Sequence, residues 1–437
     1  MRSNLITVVT AVASLVLVAQ VAAADQVQEQ FRLMEQRMAE MEDRLQATST
    51  ELESARATVD EQQSLLTDAG LVDASDAGLR SGVGSFFEMV DVSGVVATSY
   101  NYRLIDSSTN NTATSAGTAT GGEGNRGLFK TPNGNTFQLD QAWVTLDKTP
   151  TDESRGGFHA EFFAGASANA QNGTGNDTVG IYSAYVSYLA PIGNGIQVDA
   201  GRVATGLGAE VIQTNGNFFI TMGSVFGLQP VTYTGGTLTT QLTDELSLTA
   251  GVVNDVYSNT FIQGNKDLAY VGQLSYSGES FGLNVGGIWG RDSGNCGAGG
   301  TGDCMTSVVD VVLTAEPSEN LSLWANFDWK HAGGDNATSR GDTLGVSAAG
   351  RLGITDTMGV ATRVEYIHTE DSANGTTRDG ELVTLTGTVD KTLAEGLVAR
   401  FELRWDTVLD DNNNAAADFN FGNNDQLVAL AQMYYEF

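Results

Sequence analysis

From residue 86 onward, the chain is dominated by segments in which apolar and polar side chains alternate. This period of two predicts β-strands that present one apolar and one polar face. Sixteen such segments can be marked in the sequence. Their approximate ranges are 88–104, 136–148, 156–168, 178–190, 195–205, 229–242, 246–257, 267–277, 281–291, 305–315, 321–331, 342–354, 358–369, 381–392, 397–408 and 426–437.

The connections between these segments are expected to alternate strictly between short and long. Residues 191–194, 243–245 and 355–356 are short turns, whereas 105–135 and 206–228 are long loops. A transmembrane barrel has short turns at its periplasmic rim and longer loops at its outer rim, and a sandwich or propeller does not sort its connections in this way. The pattern therefore predicts an all-β transmembrane barrel of about 16 antiparallel strands.

The faces of the fifteenth segment indicate which side meets lipid. A charged side chain that faces lipid near the bilayer midplane costs about 2–4 kcal/mol, so a charged face must line the lumen. The charged face comprises Arg400, Glu402, Arg404 and Asp406, and the apolar face comprises Leu397, Ala399, Phe401, Leu403 and Trp405. In the fifth segment, Arg202 shares the phase of Ile196 and Val198, which predicts either a bulge before Arg202 or contact with another subunit.

The same phase places further arginines inside the barrel. Arg351 on the twelfth segment and Arg363 on the thirteenth join Arg400 and Arg404 in a basic strip. Two interpretations remain open. Each arginine is paired locally with a carboxylate, or the strip contacts solute and makes the pore less cation-selective than the overall charge suggests. The pore-lining candidates are Arg351, Arg363, Glu365, Arg400, Glu402 and Arg404.

The composition fits a barrel with a wet interior. With 52 Gly, 5 Pro, 41% hydrophobic residues and a mean hydropathy of -0.12, the chain is too polar for a helical membrane protein. Its 53 acidic and 22 basic residues give a formal net charge of -31. This charge excludes a nucleic-acid-binding protein, because such proteins bind by neutralising phosphates.

Both ends of the chain indicate export to the outer membrane. Arg2, the apolar run from Leu5 to Val18 and the small residues ending at Ala24 predict a secretory signal cleaved after Ala24. A permanent anchor is the alternative, since the segment from Leu5 to Ala24 is just long enough to span a membrane. The last segment ends at Phe437 and resembles the final strand of bacterial outer-membrane barrels. That resemblance implies recognition by the barrel-assembly machinery and contact with outer-membrane lipid and lipopolysaccharide in a Gram-negative cell.

The segment around the third long connection has a distinctive sequence. The stretch 189–202 is followed by Gly206-x-Gly-x-Glu210, Asn217-x-Phe219, Pro230 and Thr234-Gly235. Over residues 137–300 the chain resembles the OmpL-like putative beta-barrel porin family, and elsewhere it resembles that family in general pattern. The resemblance implies passive diffusion of small hydrophilic solutes, with no catalytic residue and no cofactor. Where the family often has a histidine, this chain has Tyr233, so no role of that position is carried over.

The connection 206–228 itself is too apolar to lie exposed in water. We therefore expect it to fold into the channel or to be covered by a neighbouring subunit. The constriction-loop candidates are Glu210, Asn217, Phe218, Phe219 and Phe226.

Residues 25–66 carry a heptad repeat without Gly or Pro, which predicts a coiled coil; a single amphipathic helix on the barrel is the alternative. The a sites are Phe31, Met38, Leu45, Leu52, Val59 and Leu66, and the d sites are Val27, Met34, Met41, Thr48, Ala55 and Gln62. The predicted domains are a signal peptide (1–24), a periplasmic coiled-coil stalk (25–66), a linker (67–85) and the barrel (86–437). The stalk implies self-association, and since many porins are trimers we expect a homotrimer.

Catalytic and metal-binding interpretations have little support. His159, His331 and His368 lie on different predicted strands or strand ends, without the spacing of a metal site. We therefore predict that the protein is not an enzyme and has no metal site. Cys296 and Cys304 bracket a Gly-rich loop tip. In an oxidising compartment they predict a local disulfide, with metal binding as the alternative.

Two functions remain open at this point. The first is a porin channel that is oligomeric through its coiled coil. The second is a structural protein with a plugged barrel, whose stalk spaces the outer membrane from the cell wall. An inward wall of charged residues favours the channel, because a sixteen-stranded barrel has a lumen too wide for side chains alone to fill.

Overall fold

The computed structural model of the protein describes residues 90–105, 136–172, 179–257, 268–293, 304–334, 337, 339–373, 376–409 and 425–437. The predicted signal peptide, stalk and linker lie outside these residues, and so does Cys296. The strands are β1 (Asp91–Ile105), β2 (Thr136–Lys148), β3 (Gly156–Ala164), β4 (Val179–Ala190), β5 (Ile196–Ala204), β6 (Thr232–Gln241), β7 (Leu246–Val253), β8 (Ala269–Ser277), β9 (Phe281–Arg291), β10 (Met305–Ser318), β11 (Leu321–Gly333), β12 (Ser339–Thr355), β13 (Met358–Ala373), β14 (Thr376–Ala394), β15 (Leu397–Val408) and β16 (Asp425–Glu436). A short helix, α1 (Ala166–Asn172), follows β3, and no helix among the described residues has the length and hydropathy to cross a membrane.

The strands form one closed antiparallel barrel in which each pairs with its neighbours in the sequence and β1 pairs with β16. The closing register places Val95 opposite Glu436 and Tyr100 opposite Ala431. Closure leaves no unpaired strand edge, so the backbone groups that lie in the bilayer are bonded within the sheet. The prediction of a sixteen-stranded barrel is confirmed.

The connections follow the predicted alternation through most of the chain. Short connections, such as 191–195 and 395–396, lie at one rim of the barrel, here called the turn rim. The opposite rim, the loop rim, carries long connections such as 205–231. Strict alternation is wrong for β11–β12 and β13–β14, which are joined at the loop rim by residues 334–338 and 374–375 alone. The reason is that β12, β13 and β14 extend to 17, 16 and 19 residues, so residues expected in loops belong to the ladder.

The two faces of the sheet differ as the strand phases predict. On the outward face, Val186, Leu238, Trp289 and Phe401 are between 50% and 63% exposed. On the inward face, polar and charged residues of β15 and β16 are buried within the barrel. An apolar exterior around a polar interior is the arrangement that a bilayer requires.

Arg202 of β5 departs from this arrangement, because it is a charged residue that shares its strand phase with the apolar residues Ile196 and Val198. It is only 3% exposed and donates from Nε to Thr232 Oγ1 at 3.2 Å. The preceding Gly201 has a φ of 147°, in the region that favours glycine. Nevertheless, β5 pairs with β4 and β6 without a register shift, so the predicted bulge before Arg202 is absent from this fully described strand.

The last residue closes the barrel through the backbone of β1. Gly94 N donates to Phe437 O at 3.0 Å, and Phe437 N donates to Gly94 O at 3.1 Å. A side chain at Gly94 would collide with the Phe437 ring, because an ideal Cβ there lies 2.6 Å from Cζ. The terminal aromatic ring therefore covers a position that only glycine leaves free.

We predict that Gly94→Val destabilises the refolded barrel by about 1–3 kcal/mol, because the added atoms displace the Phe437 ring and the backbone of β2. Urea titration in detergent, followed by the heat-modifiable mobility of the folded form, measures this loss. Gly272→Val is the matched control, since an ideal Cβ at Gly272 has no neighbour within 4 Å. Equal urea midpoints for the two variants would contradict the packing role of Phe437.

Candidate functional site

The connection between β5 and β6, residues 205–231, lies inside the barrel and is called the lumen loop below. Its backbone accepts hydrogen bonds from Gln141 of β2 and Gln273 of β8, and donates to Asn326 of β11 and Glu402 of β15. The loop therefore folds into the lumen, which is one of the two positions that its apolar sequence allows.

Arg363 of β13 forms the centre of an ionic cluster that holds the lumen loop. Its Nη1 donates to Glu210 of the loop and, at 3.0 Å, to the carbonyl of Thr221. Its Nε lies 3.1 Å from Glu365 Oε2, an ion pair that lacks hydrogen-bond geometry. The guanidinium also lies 4.5 Å from the centre of the Phe219 ring. The Arg363 side chain is completely buried by these contacts.

The two carboxylates of this cluster also bind the loop backbone. Glu210 Oε2 accepts from Gly223 N at 2.7 Å, and Glu365 Oε1 accepts from Val225 N at 3.1 Å. Burial raises the pKa of Glu210, and the positive charge of Arg363 acts against that effect. Gly223 lies so close to both carboxylates that an ideal Cβ there would be 2.5 Å from an oxygen of each.

Glu402 of β15 satisfies backbone donors that the irregular loop leaves without a ladder partner. Its Oε2 accepts from Ile220 N at 2.6 Å, and its Oε1 accepts from Thr221 N at 3.1 Å and Thr221 Oγ1 at 2.6 Å. Thr388 of β14 donates to Oε2 at 2.9 Å. Since buried backbone groups need partners, Glu402 fixes this part of the loop against the wall.

Arg404 and Arg400 of β15 bind loop carbonyls. Arg404 Nη1 donates to Met222 O at 2.6 Å, and Arg400 Nη1 donates to Thr214 O at 2.9 Å. Arg404 is also paired with Asp406 at 3.0 Å. Charge-assisted hydrogen bonds of this kind are stronger than neutral ones. The wall formed by β13 and β15 is therefore complementary to the loop backbone in both donors and acceptors.

The apolar side chains of the lumen loop pack against other parts of the inner wall. Ile212 joins a cluster with Trp143 of β2, Phe163 of β3 and Tyr182 of β4. The ring of Trp143 lies 4.9 Å from that of Phe163 and 4.8 Å from that of Tyr182, centre to centre. Burial of these aromatic surfaces stabilises the loop on this side. The loop is thus held by apolar contacts at β2–β4 and by charged contacts at β13–β15.

The predicted constriction-loop residues have different surroundings. Glu210 and Phe219 contact Arg363, whereas Asn217 bonds the loop to itself, because its Oδ1 accepts from Val211 N at 2.9 Å. Phe218 packs beside Phe219, and Phe226 packs against the aromatic cluster of β2–β4.

The predicted pore-lining residues fall into two groups. Arg363, Glu365, Arg400, Glu402 and Arg404 all lie under the lumen loop and are at most 7% exposed. Arg351 lies apart from them, is 36% exposed and pairs with Asp390 of β14 at 2.6 Å. Local pairing of Arg363 with Glu365, the first of the two interpretations, is present, but the main partner of both is the loop.

Sequence reasoning missed a second set of residues that hold the loop. Most of them are polar residues in the inward phase of a strand, and that phase is the only sequence feature that indicates their position. Gln229 has no such feature, because it lies in the lumen loop. Gln229 Nε2 donates to Asp328 Oδ2 at 2.6 Å, and Gln432 Oε1 accepts from Thr214 Oγ1 at 3.1 Å. The missed residues are Gln141, Gln229, Asp310, Asn326, Asp328 and Gln432.

The histidines are separated, as expected from the sequence. His159 faces Asp147 and Glu161 in the lumen, whereas His331 and His368 lie near the loop rim. Ligand atoms of His368, Glu370 and Asp379 come within 4.8 Å of one another. Exposed carboxylates commonly lie together without an ion, so this group alone does not indicate a metal centre. Cys304 is disulfide-bonded, and its predicted partner Cys296 lies outside the described residues.

The family of the chain follows from comparison with known proteins. Residues 89–437 match the family described as Putative beta-barrel porin-2, OmpL-like. The chain belongs to this porin family. The closed barrel is accordingly that of an outer-membrane porin, and the match extends beyond residues 137–300, where the family motifs were recognised, to the terminal Phe437. No curated protein sequence matches the chain.

Solved outer-membrane porins share the fold at low identity. The trimer form of OmpT from Vibrio cholerae is 13% identical with a TM-score of 0.54, and the alignment covers 80% of this chain and 99% of that one. The anion-selective porin from Comamonas acidovorans is 12% identical with a TM-score of 0.50, covering 80% and 99%. The outer membrane channel DcaP of Acinetobacter baumannii is 10% identical with a TM-score of 0.50, covering 80% and 97%. At these identities the likeness concerns the fold.

We predict that Arg363→Met lowers the free energy of unfolding by about 3–5 kcal/mol, because it leaves Glu210 and Glu365 as buried carboxylates without a cation. Urea titration of the refolded barrel measures the change. Arg351→Met is the matched control, and because its ion pair is partly exposed we expect a loss of about 1 kcal/mol or less. If both substitutions lower the free energy of unfolding by the same amount, the buried cluster does not hold the loop as described.

Proposed function

We propose that the protein is a porin that forms a water-filled channel for passive diffusion of small hydrophilic solutes. The lumen loop, residues 205–231, narrows this channel. The observation that carries the proposal is the fixed position of this loop inside a sixteen-stranded barrel whose inward wall is charged. A barrel of this strand number is wide enough for an aqueous channel, and a loop attached to its wall leaves a narrower passage.

The basic strip has a specific part in this proposal. Arg363, Arg400 and Arg404 determine the width of the passage by binding the loop, and they influence permeant ions through their charge and through the position of the loop. The formal net charge of -31 then has little effect on permeant ions at the constriction, and the channel is not strongly cation-selective. Support comes from the burial of these three arginines beneath the loop, where their charges face carboxylates and carbonyls.

The assembly proposed here is a homotrimer in the outer membrane of a Gram-negative cell. Residues 25–66 form its periplasmic coiled-coil stalk, after removal of residues 1–24. Its barrel contacts lipid and lipopolysaccharide, and the β16 strand with Phe437 is recognised by the barrel-assembly machinery. The heptad spacing supports the stalk, and the trimer form of the structurally similar OmpT from Vibrio cholerae supports the subunit number.

The alternative is a structural protein with a plugged barrel that spaces the outer membrane from the cell wall. A specific observation favours it: the loop has apolar contacts with the inner wall through Ile212 and Phe219, in addition to its polar ones. A loop packed on several sides leaves less room for water than a loop bound at one side.

Single-channel recording separates the two functions. We expect the purified full-length protein to give discrete conducting steps in planar bilayers, because the inward wall bears charged and polar side chains and a sixteen-stranded barrel is too wide for side chains alone to fill. If heat-modifiable mobility shows that the barrel is folded but the recordings show no conducting steps, the structural role is favoured. Liposome swelling with sugars, amino acids, phosphate and dicarboxylates would then identify the solutes.

Arg404→Gln tests the role of the basic strip. We expect larger and noisier current steps, together with a reversal potential shifted toward cation selectivity, because the loop loses its bond at Met222 and the wall loses a positive charge. Arg155→Gln is the control, since Arg155 lies in the β2–β3 turn and donates to Leu189 O outside the lumen. Unchanged steps and an unchanged reversal potential in Arg404→Gln would refute this role.

A further inference from the structure

Two carboxyl groups meet on the inner wall where the ends of the lumen loop cross it. Asp310 of β10 and Asp328 of β11 are register partners on adjacent strands. Both residues are completely buried, and Gln229 Nε2 reaches both carboxyl groups, at 2.6 Å from Asp328 Oδ2 and 3.4 Å from Asp310 Oδ2. Two ionised carboxylates buried side by side repel each other, so one negative charge or both must be neutralised.

The surrounding amides satisfy only part of this pair. Gln229 Nε2 donates to Asp328 Oδ2 at 2.6 Å, and Asn326 Nδ2 donates to Asp310 Oδ2 at 2.7 Å. The remaining carboxylate oxygens, Asp310 Oδ1 and Asp328 Oδ1, are buried and accept no hydrogen bond, and the same holds for Gln229 Oε1. Each of these three neighbouring side chains thus has one buried oxygen atom without a hydrogen-bond partner.

The charges of this pair are not balanced by the wall. Glu210 and Glu365 are paired with Arg363, and Asp406 with Arg404, but among the described residues no ion pair joins Asp310 or Asp328 to a basic side chain. Lys330, the next inward residue of β11, has its ammonium 4.5 Å from the centre of the Tyr257 ring. Each buried charge without compensation costs several kcal/mol, so the pair must either take up a proton or bind a cation.

We propose that Asp310, Asp328 and Gln229 bind a divalent cation of the calcium or magnesium type. Carboxylate and amide oxygens are the ligands that these hard cations prefer, and no nitrogen or sulfur donor is in the set. The cation neutralises the carboxylates and occupies the three oxygen atoms that lack partners.

The site joins the wall to both ends of the lumen loop. Gln229 belongs to the last part of the loop, and Gly208 of its first part has a φ of 90° and packs so closely on Gln229 that a Cβ would overlap Oε1. The backbone N of the neighbouring Ala209 donates to Asn326 Oδ1 at 3.4 Å, and Asn326 Nδ2 in turn donates to Asp310 Oδ2. A bound cation therefore fastens the loop where it enters and leaves the lumen, apart from the arginine contacts at β13 and β15.

Calcium titration of the full-length protein in detergent tests the site without any measurement of current. After treatment with EDTA, isothermal titration calorimetry at neutral pH compares the wild type with Asp328→Asn, which keeps the shape and removes one charge. We expect the tightest calcium site of the wild type to be weakened on the order of tenfold or more in this variant. We expect exposed acidic residues to bind calcium weakly in every variant. The test is therefore the difference in calcium affinity between the wild type and Asp328→Asn.

Asp199→Asn is the matched control. Asp199 is also a buried carboxylate of the inner wall, but both its oxygens accept hydrogen bonds, from Ser187 and Gln197. Calcium affinity in this control should equal that of the wild type. Equal calcium binding in the wild type and Asp328→Asn would overturn the proposal, because the cation would then be bound by exposed acidic residues.

Unfolding of the wild type alone provides a second test if Asp328→Asn fails to fold. Calcium should raise the urea midpoint relative to EDTA, because a ligand that binds only the folded state stabilises it. A midpoint that responds to pH but not to calcium, magnesium or EDTA would overturn the proposal, since the carboxyl pair would then share a proton.

Discussion

The ionic contact of Arg363 with Glu210 and Glu365 determines where the lumen loop lies, and the shape of the channel depends on that position. Burial of three charged groups costs free energy that their attraction alone does not reliably recover. The cluster is stabilised further because the same carboxylates accept backbone N–H groups of Gly223 and Val225. The carboxylates of Glu210 and Glu365 thus also accept hydrogen bonds from a loop backbone that has no strand partner.

This requirement explains why the inner wall has different characters on different sides. An irregular segment at membrane depth is tolerated only where protein or water satisfies its polar groups. The donors Ile220 N and Thr221 N face Glu402, while the carbonyl of Met222 faces Arg404. On the side of β2–β4, where Ile212 meets aromatic rings, the loop buries apolar surface instead. Because its polar and apolar sides face different parts of the wall, the loop is held in one orientation as well as at one depth in the barrel.

Strand phase allowed the inward position of Arg363, Glu402 and Arg404 to be predicted, because a period of two leaves little freedom once one face is charged. Their partners were not predictable in this way. Arg363 and Glu210 are 153 residues apart, and Glu402 and Ile220 are 182 apart, so no local pattern connects them. The same limit applies to Asp310 and Gln229, which meet only because the loop returns along β10 and β11. Strand ends at β12–β14 were missed because extended ladders continue into sequences that have loop composition.

The distribution of charge makes the overall acidity of the chain a poor guide to the channel. The sequence has only 22 basic residues against 53 acidic ones, yet four arginines are concentrated on β12, β13 and β15. Three of them are buried against the loop, where their charges are matched by carboxylates and carbonyls at contact distance. Paired charges produce weak fields beyond their own contacts, and exposed charges on loops are screened within about 10 Å in salt. In the proposed channel, the charge that acts on ions beside the loop is therefore that of the few unmatched groups close to it, and the formal net charge of -31 has little effect there.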